Sequence, residues 1–156
     1  IVERGADLAG RPAGEVGAAS AVKMAYASFT TGSGALLLAA RALARAQGVE
    51  EVLLAEWGIS QPGLGERSAR AAGSAASKGW RWVAEMEEIA ASMAAAGLPA
   101  GFHQAAAEIY RRSPHADGTA GDGEANLDTI LNALTERGGV PLTERGGVPA
   151  QGKDGA

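Results

Sequence analysis

The sequence predicts an all-α domain, and three observations support that prediction. Hydrophobic residues make up 46% of the 156 residues whereas aromatic residues make up only 4%. Alanine supplies much of the apolar content, which favours close helix–helix packing over a strand-based core. Apolar residues also recur at helical spacing along most of the chain, and this recurrence divides it into the helices below.

One long helix, or two stacked ones, is expected from Ser20 to Gln47, because good helix formers dominate this segment and Gly48 provides a C-terminal stop. The segment Thr-Thr-Gly-Ser-Gly at 30–34 interrupts this pattern. A glycine inside a helix costs about 1 kcal/mol relative to alanine. The two glycines therefore predict a kink, or a close approach by another backbone or by a ligand.

Four shorter helices follow. Segment 50–59 ends at a turn containing Pro62 and Gly63, and segment 66–77 is rich in small residues that bury little surface. Segment 80–96 is the best-defined amphipathic element, because large apolar residues recur on one face at Trp82, Met86, Ile89 and Met93. Its charged residues lie on a different face at Lys78, Arg81, Glu85 and Glu88. Gly97 is expected to end segment 80–96, and a helix at 101–112 ends before Ser113-Pro114.

After Arg112 the composition shifts to Gly, Asp, Ser and Pro, which cannot bury enough apolar surface to offset the ordering entropy. We expect most of the tail, 113–156, to be mobile. One short helix is predicted near 126–136, capped by Asn126 and able to dock on the bundle through Leu127, Ile130, Leu131 and Leu134. An octapeptide repeated from 134 to 149 is too short for a solenoid and indicates a tandem duplication or an unselected end.

Charge and composition exclude several classes of partner. The net charge of −4, without a basic stripe, argues against nucleic acid. The chain has no cysteine, which excludes thiol chemistry and fits a reducing compartment such as the cytoplasm. The longest apolar run, Ala35–Ala40, is far shorter than the roughly 20 residues of a membrane span. His103 and His115 have no acidic cluster at ligand spacing, so we expect surface histidines and no metal site.

Lys23 is the candidate catalytic residue, because it is the one charged residue between Val16 and Ala27. A lysine in the first turns of a largely buried helix loses hydration, which favours the neutral amine and suits it to proton transfer. The alternative is a lysine that extends from the helix start into solvent.

The run from Gly14 to Ala27 resembles the junction between the nucleotide-binding and helical domains of the β-hydroxyacid dehydrogenase superfamily, which includes 6-phosphogluconate and 3-hydroxyisobutyrate dehydrogenases. In that family a Gly-x-x-Gly-x-Gly-x-x-x-Lys stretch starts the interdomain helix, and its lysine is the general acid/base. Gly14, Gly17 and Lys23 keep this spacing. Ala19 replaces the third glycine, and Ala27 stands where the family has a substrate-contacting asparagine, which implies a different substrate.

Residues 23–112 resemble still more closely a poorly characterised helical domain that follows a nucleotide-binding domain in many prokaryotic dehydrogenase-like proteins. The resemblance rests on segments 23–27, 55–57, 78–82, 85–90 and 101–103. In hydroxyisobutyrate-type enzymes a Lys-Asp pair, whose lysine lies near the cofactor, corresponds to Glu87-Glu88 here. A cofactor contact at this position is therefore not carried over.

The resemblance implies a domain organisation and a function. Residues 1–13 would be the remnant or linker of a missing nucleotide-binding domain, and 14–112 the helical C-terminal domain of a homodimeric NAD(P)-dependent oxidoreductase. In it, Lys23 would take the hydroxyl proton of a small-molecule substrate as hydride leaves for the nicotinamide. The chain lacks a Gly-x-Gly-x-x-Gly fingerprint, so alone it is expected neither to bind NAD or NADP nor to be active.

Three further residues are candidates for substrate binding. Tyr26 offers a phenolic donor near the missing asparagine, although adjacent helix positions point about 100° apart. Arg81 would clamp a carboxylate or phosphate, unless it belongs to a solvated, salt-linked helix face. Trp80 is the third candidate. Trp80 and Trp82 lie two residues apart, so on a helix they face nearly opposite ways and cannot both be in the core, and one of them is expected to line a cleft or a subunit interface.

The rival function is a non-catalytic helical protein-interaction module. In that interpretation Lys23 is incidental, and the surface around Gly32 and Gly34 forms a protein–protein face with the tryptophans. The catalytic interpretation expects Lys23 and Arg81 to face one cavity.

Overall fold

A computed structural model describes residues 16–115 and 123–136, and every regular element within these ranges is an α-helix. The helices are α1 (Val16–Ala46), α2 (Glu50–Ser60), α3 (Leu64–Ala95), α4 (Gly101–Arg112) and α5 (Gly123–Thr135). The predicted all-α class is confirmed. The proposed linker 1–13 and most of the tail lie outside the described residues. Among the described helices, none combines the length and apolar composition that a bilayer crossing requires.

The long helix α1 runs without interruption through the segment 30–34, as one helix and not as two stacked ones. Its glycines instead allow another helix to approach closely. A Cβ atom on Gly32 would lie 3.1 Å from the Phe102 ring of α4, and one on Gly34 would lie 2.9 Å from the Tyr110 hydroxyl. Packing against α4 therefore accounts for both glycines within a continuous helix.

Helix α3 joins two segments, 66–77 and 80–96, that were predicted as separate helices. Gly79, near the expected boundary, is buried, and a Cβ atom there would lie 3.5 Å from the Tyr110 ring. Tertiary packing of α3 on its neighbours outweighs the low helix propensity of this stretch. The two long helices, α1 and α3, each contact all four other helices and form the frame of the bundle.

The core lies between α1, α3, α4 and α5. Met86 and Ile89 of α3 are fully buried, as their amphipathic spacing predicted, and Trp82 and Met93 pack at the edge of the same cluster. The glycine stops predicted at both long helices are confirmed, since Gly48 and Gly97 follow α1 and α3 with positive φ angles of 72° and 74°.

Helix α5 docks through the apolar face that the sequence predicted, with Leu127, Ile130, Leu131 and Leu134 all buried. It begins at Gly123, so Asn126 lies inside the helix and is not its N-cap. Good helix formers at 124 and 125 account for the earlier start. Arg112 of α4 donates hydrogen bonds of 3.0 Å to the carbonyls of Leu134 and Glu136, which satisfies the C-terminal end of α5.

A polar cluster around Glu50 joins α1, α2, α3 and α5. Glu50 accepts hydrogen bonds of 2.6 Å from the buried Arg41 and from Arg45. Arg41 also donates to Ser68 of α3 at 2.9 Å, and Arg45 pairs with Asp128 of α5 at 2.8 Å. These hydrogen bonds, first of all that from Arg45, hold the pKa of Glu50 below its ordinary value, against the opposing effect of burial.

The lowered pKa of Glu50 makes the folded state sensitive to acid. Glu50→Gln is expected to reduce the free energy of unfolding by about 1–3 kcal/mol at neutral pH, because it removes the charge that two guanidinium groups share. This contribution is fully present above the ordinary pKa of 4.5. It is lost as the pH falls through the lower folded-state value. Urea unfolding of both proteins across this range measures the difference, which should shrink on acidification. The exposed neighbour provides the control, since Glu51→Gln should show no such convergence.

Helical glycines that contact another helix are expected to respond to substitution differently from those that contact nothing. Gly34→Ala is expected to lower the free energy of unfolding by about 1–3 kcal/mol, because the new methyl group displaces the Tyr110 hydroxyl. Gly73 of α3 is the matched control, since a Cβ atom there meets nothing within 4 Å. Gly73→Ala is expected to raise the stability by up to about 1 kcal/mol. Equal effects in chemical denaturation would contradict the assigned packing of Gly34.

Candidate functional site

Lys23 lies in the second turn of α1 and lines a cavity of about 90 Å³ between α1 and α3. Ala27, one turn further along α1, lines the same cavity. The opposite wall belongs to α3 and includes Glu85, Glu88 and Ile89. Ala27, which the resemblance sets opposite the family's asparagine, therefore faces the same small cavity as Lys23.

The environment of Lys23 is open and acidic. Its side chain is exposed, so the expected desolvation of the amine is wrong. The N-terminal part of α1 is largely exposed, apart from Ala27, and this is the physical reason. Glu85 accepts a hydrogen bond of 3.4 Å from the Thr31 hydroxyl, and Glu88 is exposed beside it. The arrangement sets one ammonium group and two carboxylates around a space large enough for a few atoms.

Two of the predicted substrate-binding residues form a separate exposed pair. The guanidinium group of Arg81 lies 4.8 Å from the centroid of the Trp80 ring, and both side chains are exposed. Neither residue lines the Lys23 cavity, so the expectation that Lys23 and Arg81 face one cavity is wrong. Arg81 lies one helical turn before Glu85, and its side chain stacks on Trp80 instead.

Tyr26 also lies apart from the cavity. It is 54% exposed on a neighbouring face of α1 and does not replace the missing asparagine. Of the tryptophan pair, Trp82 packs edge-on against Tyr110 with 5.0 Å between ring centroids, whereas Trp80 faces outward. The expected division between one inner and one outer tryptophan is confirmed.

His103 is buried, which corrects the prediction of a surface histidine. It lies on the face of α4 that packs against α1, where its Nε2 donates to the carbonyl of Ser28 at 3.3 Å. Its Nδ1 has no hydrogen-bond partner among the described residues. His115 is exposed, as predicted. Within residues 16–115 and 123–136, no three His, Cys, Asp or Glu residues cluster as metal ligands would.

A larger cavity, of about 340 Å³, lies between α1 and α3 and was missed by sequence analysis. Arg67, Arg70 and Ser74 of α3 line it on one side. Thr30, Thr31 and Gly34 line it from α1, so segment 30–34 faces a space that a ligand could occupy. The spacing of three and then four residues from Arg67 to Ser74 was the available signal, because such residues share one face of a helix.

Tyr110 closes the inner end of this larger cavity. Its hydroxyl donates a 2.6 Å hydrogen bond to the carbonyl of Thr31. Burial raises the pKa of the Tyr110 phenol above its ordinary value of 10. The side chain therefore remains a neutral donor at physiological pH.

Comparison with known proteins gives one match. Residues 44–113 match the family model described as Domain of unknown function (DUF1932). The match extends from the end of α1 through α4, so it includes Trp80 and Arg81 but neither Lys23 nor Tyr26. No curated protein and no solved structure matches the chain at a significant level.

The matched region also contains Glu87, the residue that the resemblance described above sets opposite a lysine of hydroxyisobutyrate-type enzymes. Glu87 forms an ion pair of 2.6 Å with Arg111 of α4. In this chain the position thus connects α3 to α4 at the surface.

Proposed function

We propose that this chain supplies the helical substrate and dimerisation domain of an NAD(P)-dependent oxidoreductase whose nucleotide pocket belongs to a separate Rossmann-type domain. The observation that carries the proposal is that Lys23 and Ala27 line one cavity with the acidic face of α3. The domain matched by residues 44–113 supports it, being a helical C-terminal domain in the NAD(P)-binding dehydrogenase family.

The position of Lys23 suits a site completed by a second domain. The residue lies near the end of α1 to which residues 1–15 connect, and its side chain is exposed. A domain attached at that end would cover the ammonium group and exclude water from it. Because the sequence lacks a Gly-x-Gly-x-x-Gly fingerprint, the cofactor would be held by that second domain and would accept the hydride there.

Within this arrangement Lys23 is the general acid/base. Its Nζ would exchange a proton with the substrate hydroxyl, and Glu85 and Glu88 would keep the ammonium group directed into the cavity. Ala27 leaves space where an asparagine would form a hydrogen bond, so a bulkier or less polar substrate group fits beside it. Tyr26, Trp80 and Arg81 have no role in this site.

The dimerisation part of the proposal rests on an exposed apolar seam along α1. We use the name α1 seam for five large side chains that are each 53–68% exposed: Val22, Tyr26, Phe29, Leu36 and Leu43. Their spacings are four, three, seven and seven residues, with Ser33 and Ala40 at the intervening positions. This is the apolar repeat of a helix that pairs with another helix.

A second copy of α1 is the partner that fits the seam. The seam extends for about 32 Å along the helix, at 1.5 Å per residue. The repeat positions of the seam hold no charged residue, so two copies related by a twofold axis would meet without placing like charges against each other. Contiguous apolar surface of this kind marks an interaction site, unlike scattered single residues. The same seam favours the alternative function, a non-catalytic interaction module, and so does the separation of Arg81 from the Lys23 cavity. The face predicted for that module around Gly32 and Gly34 is wrong, because both glycines pack against α4.

The catalytic assignment predicts the effect of removing the lysine. In a fusion of the chain to a nucleotide-binding domain, Lys23→Ala is expected to reduce kcat by about 10²–10⁴-fold, the usual contribution of a general acid/base. Oxidation of a panel of small hydroxy acids with NAD or NADP is followed by absorbance. Lys78→Ala is the control, because it removes another exposed lysine outside the Lys23 cavity. Unchanged turnover in Lys23→Ala would refute the catalytic role. A dimer without nucleotide-dependent turnover would favour the interaction module.

The seam predicts the oligomeric state. Sedimentation velocity of the chain is expected to give a dimer, and the double substitution Phe29→Asp with Leu36→Asp is expected to give a folded monomer, because it inserts charge into the apolar contact. Ile59→Asp is the matched control, since Ile59 of α2 is also exposed but lies outside the seam. A monomeric parent chain, or an equal loss of the dimer in Ile59→Asp, would contradict the assignment.

A further inference from the structure

The larger cavity is positively charged in a chain whose net charge is −4. The guanidinium groups of Arg67 and Arg70 line it together with the hydroxyls of Thr30, Thr31 and Ser74. No carboxylate lines it. The cavity therefore presents hydrogen-bond donors and two cationic groups to whatever occupies it.

Neither guanidinium group is committed to a strong ion pair. Arg67 donates to the Ser33 hydroxyl at 2.8 Å and has no carboxylate partner among the described residues. Arg70 is 3.5 Å from Glu66, and the two side chains are 68% and 82% exposed. Such an exposed pair contributes little to stability. By contrast, Arg41, Arg45 and Arg111 each have a carboxylate at 2.6 Å. The two cavity arginines can therefore turn toward a ligand at small cost.

The inner end of the cavity is largely apolar. Leu37 and Ala71 line it beside the rings of Trp82 and Tyr110. The volume of about 340 Å³ is near the lower end of the range for ligand pockets, roughly 300–1,000 Å³. These properties select a small molecule with a charged end and a short carbon body.

We propose that this cavity binds a small organic anion, whose carboxylate or phosphate group pairs with Arg67 and Arg70 and whose carbon body lies against Leu37 and Trp82. Guanidinium groups match the geometry of both kinds of oxyanion through paired hydrogen bonds. The site is distinct from the Lys23 cavity, although Thr31 links the two by donating to Glu85. It goes beyond the proposed oxidoreductase function, because it requires neither a nucleotide nor a second domain.

The test is an NMR titration of the chain with three probes of similar shape: butyrate, butyl phosphate and the neutral butyramide. The Trp82 indole and Arg67 and Arg70 side-chain resonances report on the cavity. At least one anion is expected to bind with a dissociation constant on the order of millimolar, as its small size allows. Butyramide is expected to leave these resonances unshifted. The tighter of the two anions identifies the head group that the site prefers.

Substitutions separate this site from general surface charge. The double change Arg67→Gln with Arg70→Gln is expected to weaken anion binding by at least about tenfold, because two charged hydrogen bonds are lost. Arg81→Gln removes an exposed charge from the same helix outside the cavity and is expected to leave binding unchanged. Both cavity arginines are exposed, so thermal unfolding should show that the double variant remains folded. The proposal is overturned if neither anion binds, if butyramide binds equally, if the double variant binds as the parent does, or if Arg81→Gln loses as much affinity.

Discussion

The hydroxyl of Tyr110 and the carbonyl of Thr31 form the contact on which the rest of the structure depends. The bond brings α4 against α1 at 2.6 Å, at a level where Gly34 leaves room for the phenol. The same ring packs against Gly79 and Trp82 of α3. One side chain thereby fixes the mutual positions of three helices. The Tyr110 side chain also lies between α1 and α3 and forms the base of the larger cavity. The same residue therefore packs the helices together and shapes the cavity.

The two cavities divide the α1–α3 interface between different chemistries. Near the start of α1 an ammonium group faces two carboxylates, and further along the helix two guanidinium groups face hydroxyls. Glu85 belongs to the first cavity and accepts the hydrogen bond of Thr31, which belongs to the second. One hydrogen bond therefore connects the linings of the two cavities.

The elements that sequence analysis predicted well are those whose stability is local. The amphipathic spacing around Met86 and Ile89, the glycine stops after α1 and α3, and the apolar face of α5 all follow from helix periodicity and backbone freedom. The continuity of α1 and α3 could not be predicted in this way. It depends on Gly34 and Gly79 packing against Tyr110, a residue distant in sequence, and local propensity contains no information on that contact.

The candidate site shows the same contrast between properties set by local helix spacing and properties set by tertiary contacts. Lys23 and Ala27 face one cavity because they lie one helical turn apart, which spacing alone predicts. The exposure of Lys23, the pairing of Arg81 with Trp80, and the burial of Arg41 and His103 depend on which helix covers which face. Tertiary placement decides these properties. Arg67 and Arg70 escaped notice for a related reason, since their cavity exists only where α3 meets α1 and α4.

Helix α5 completes the core and accepts hydrogen bonds from Arg112 at its C-terminal end. This docking affects how such a domain can be exchanged between genes. The family match ends at residue 113, whereas Ile130 and Leu131 of α5 complete the core. A recombination event that transferred only 44–113 would remove both nearly all of α1 and all of α5, and it would expose the faces of α3 that they cover. The five described helices therefore form one packing unit, which extends beyond the matched region 44–113 at both ends.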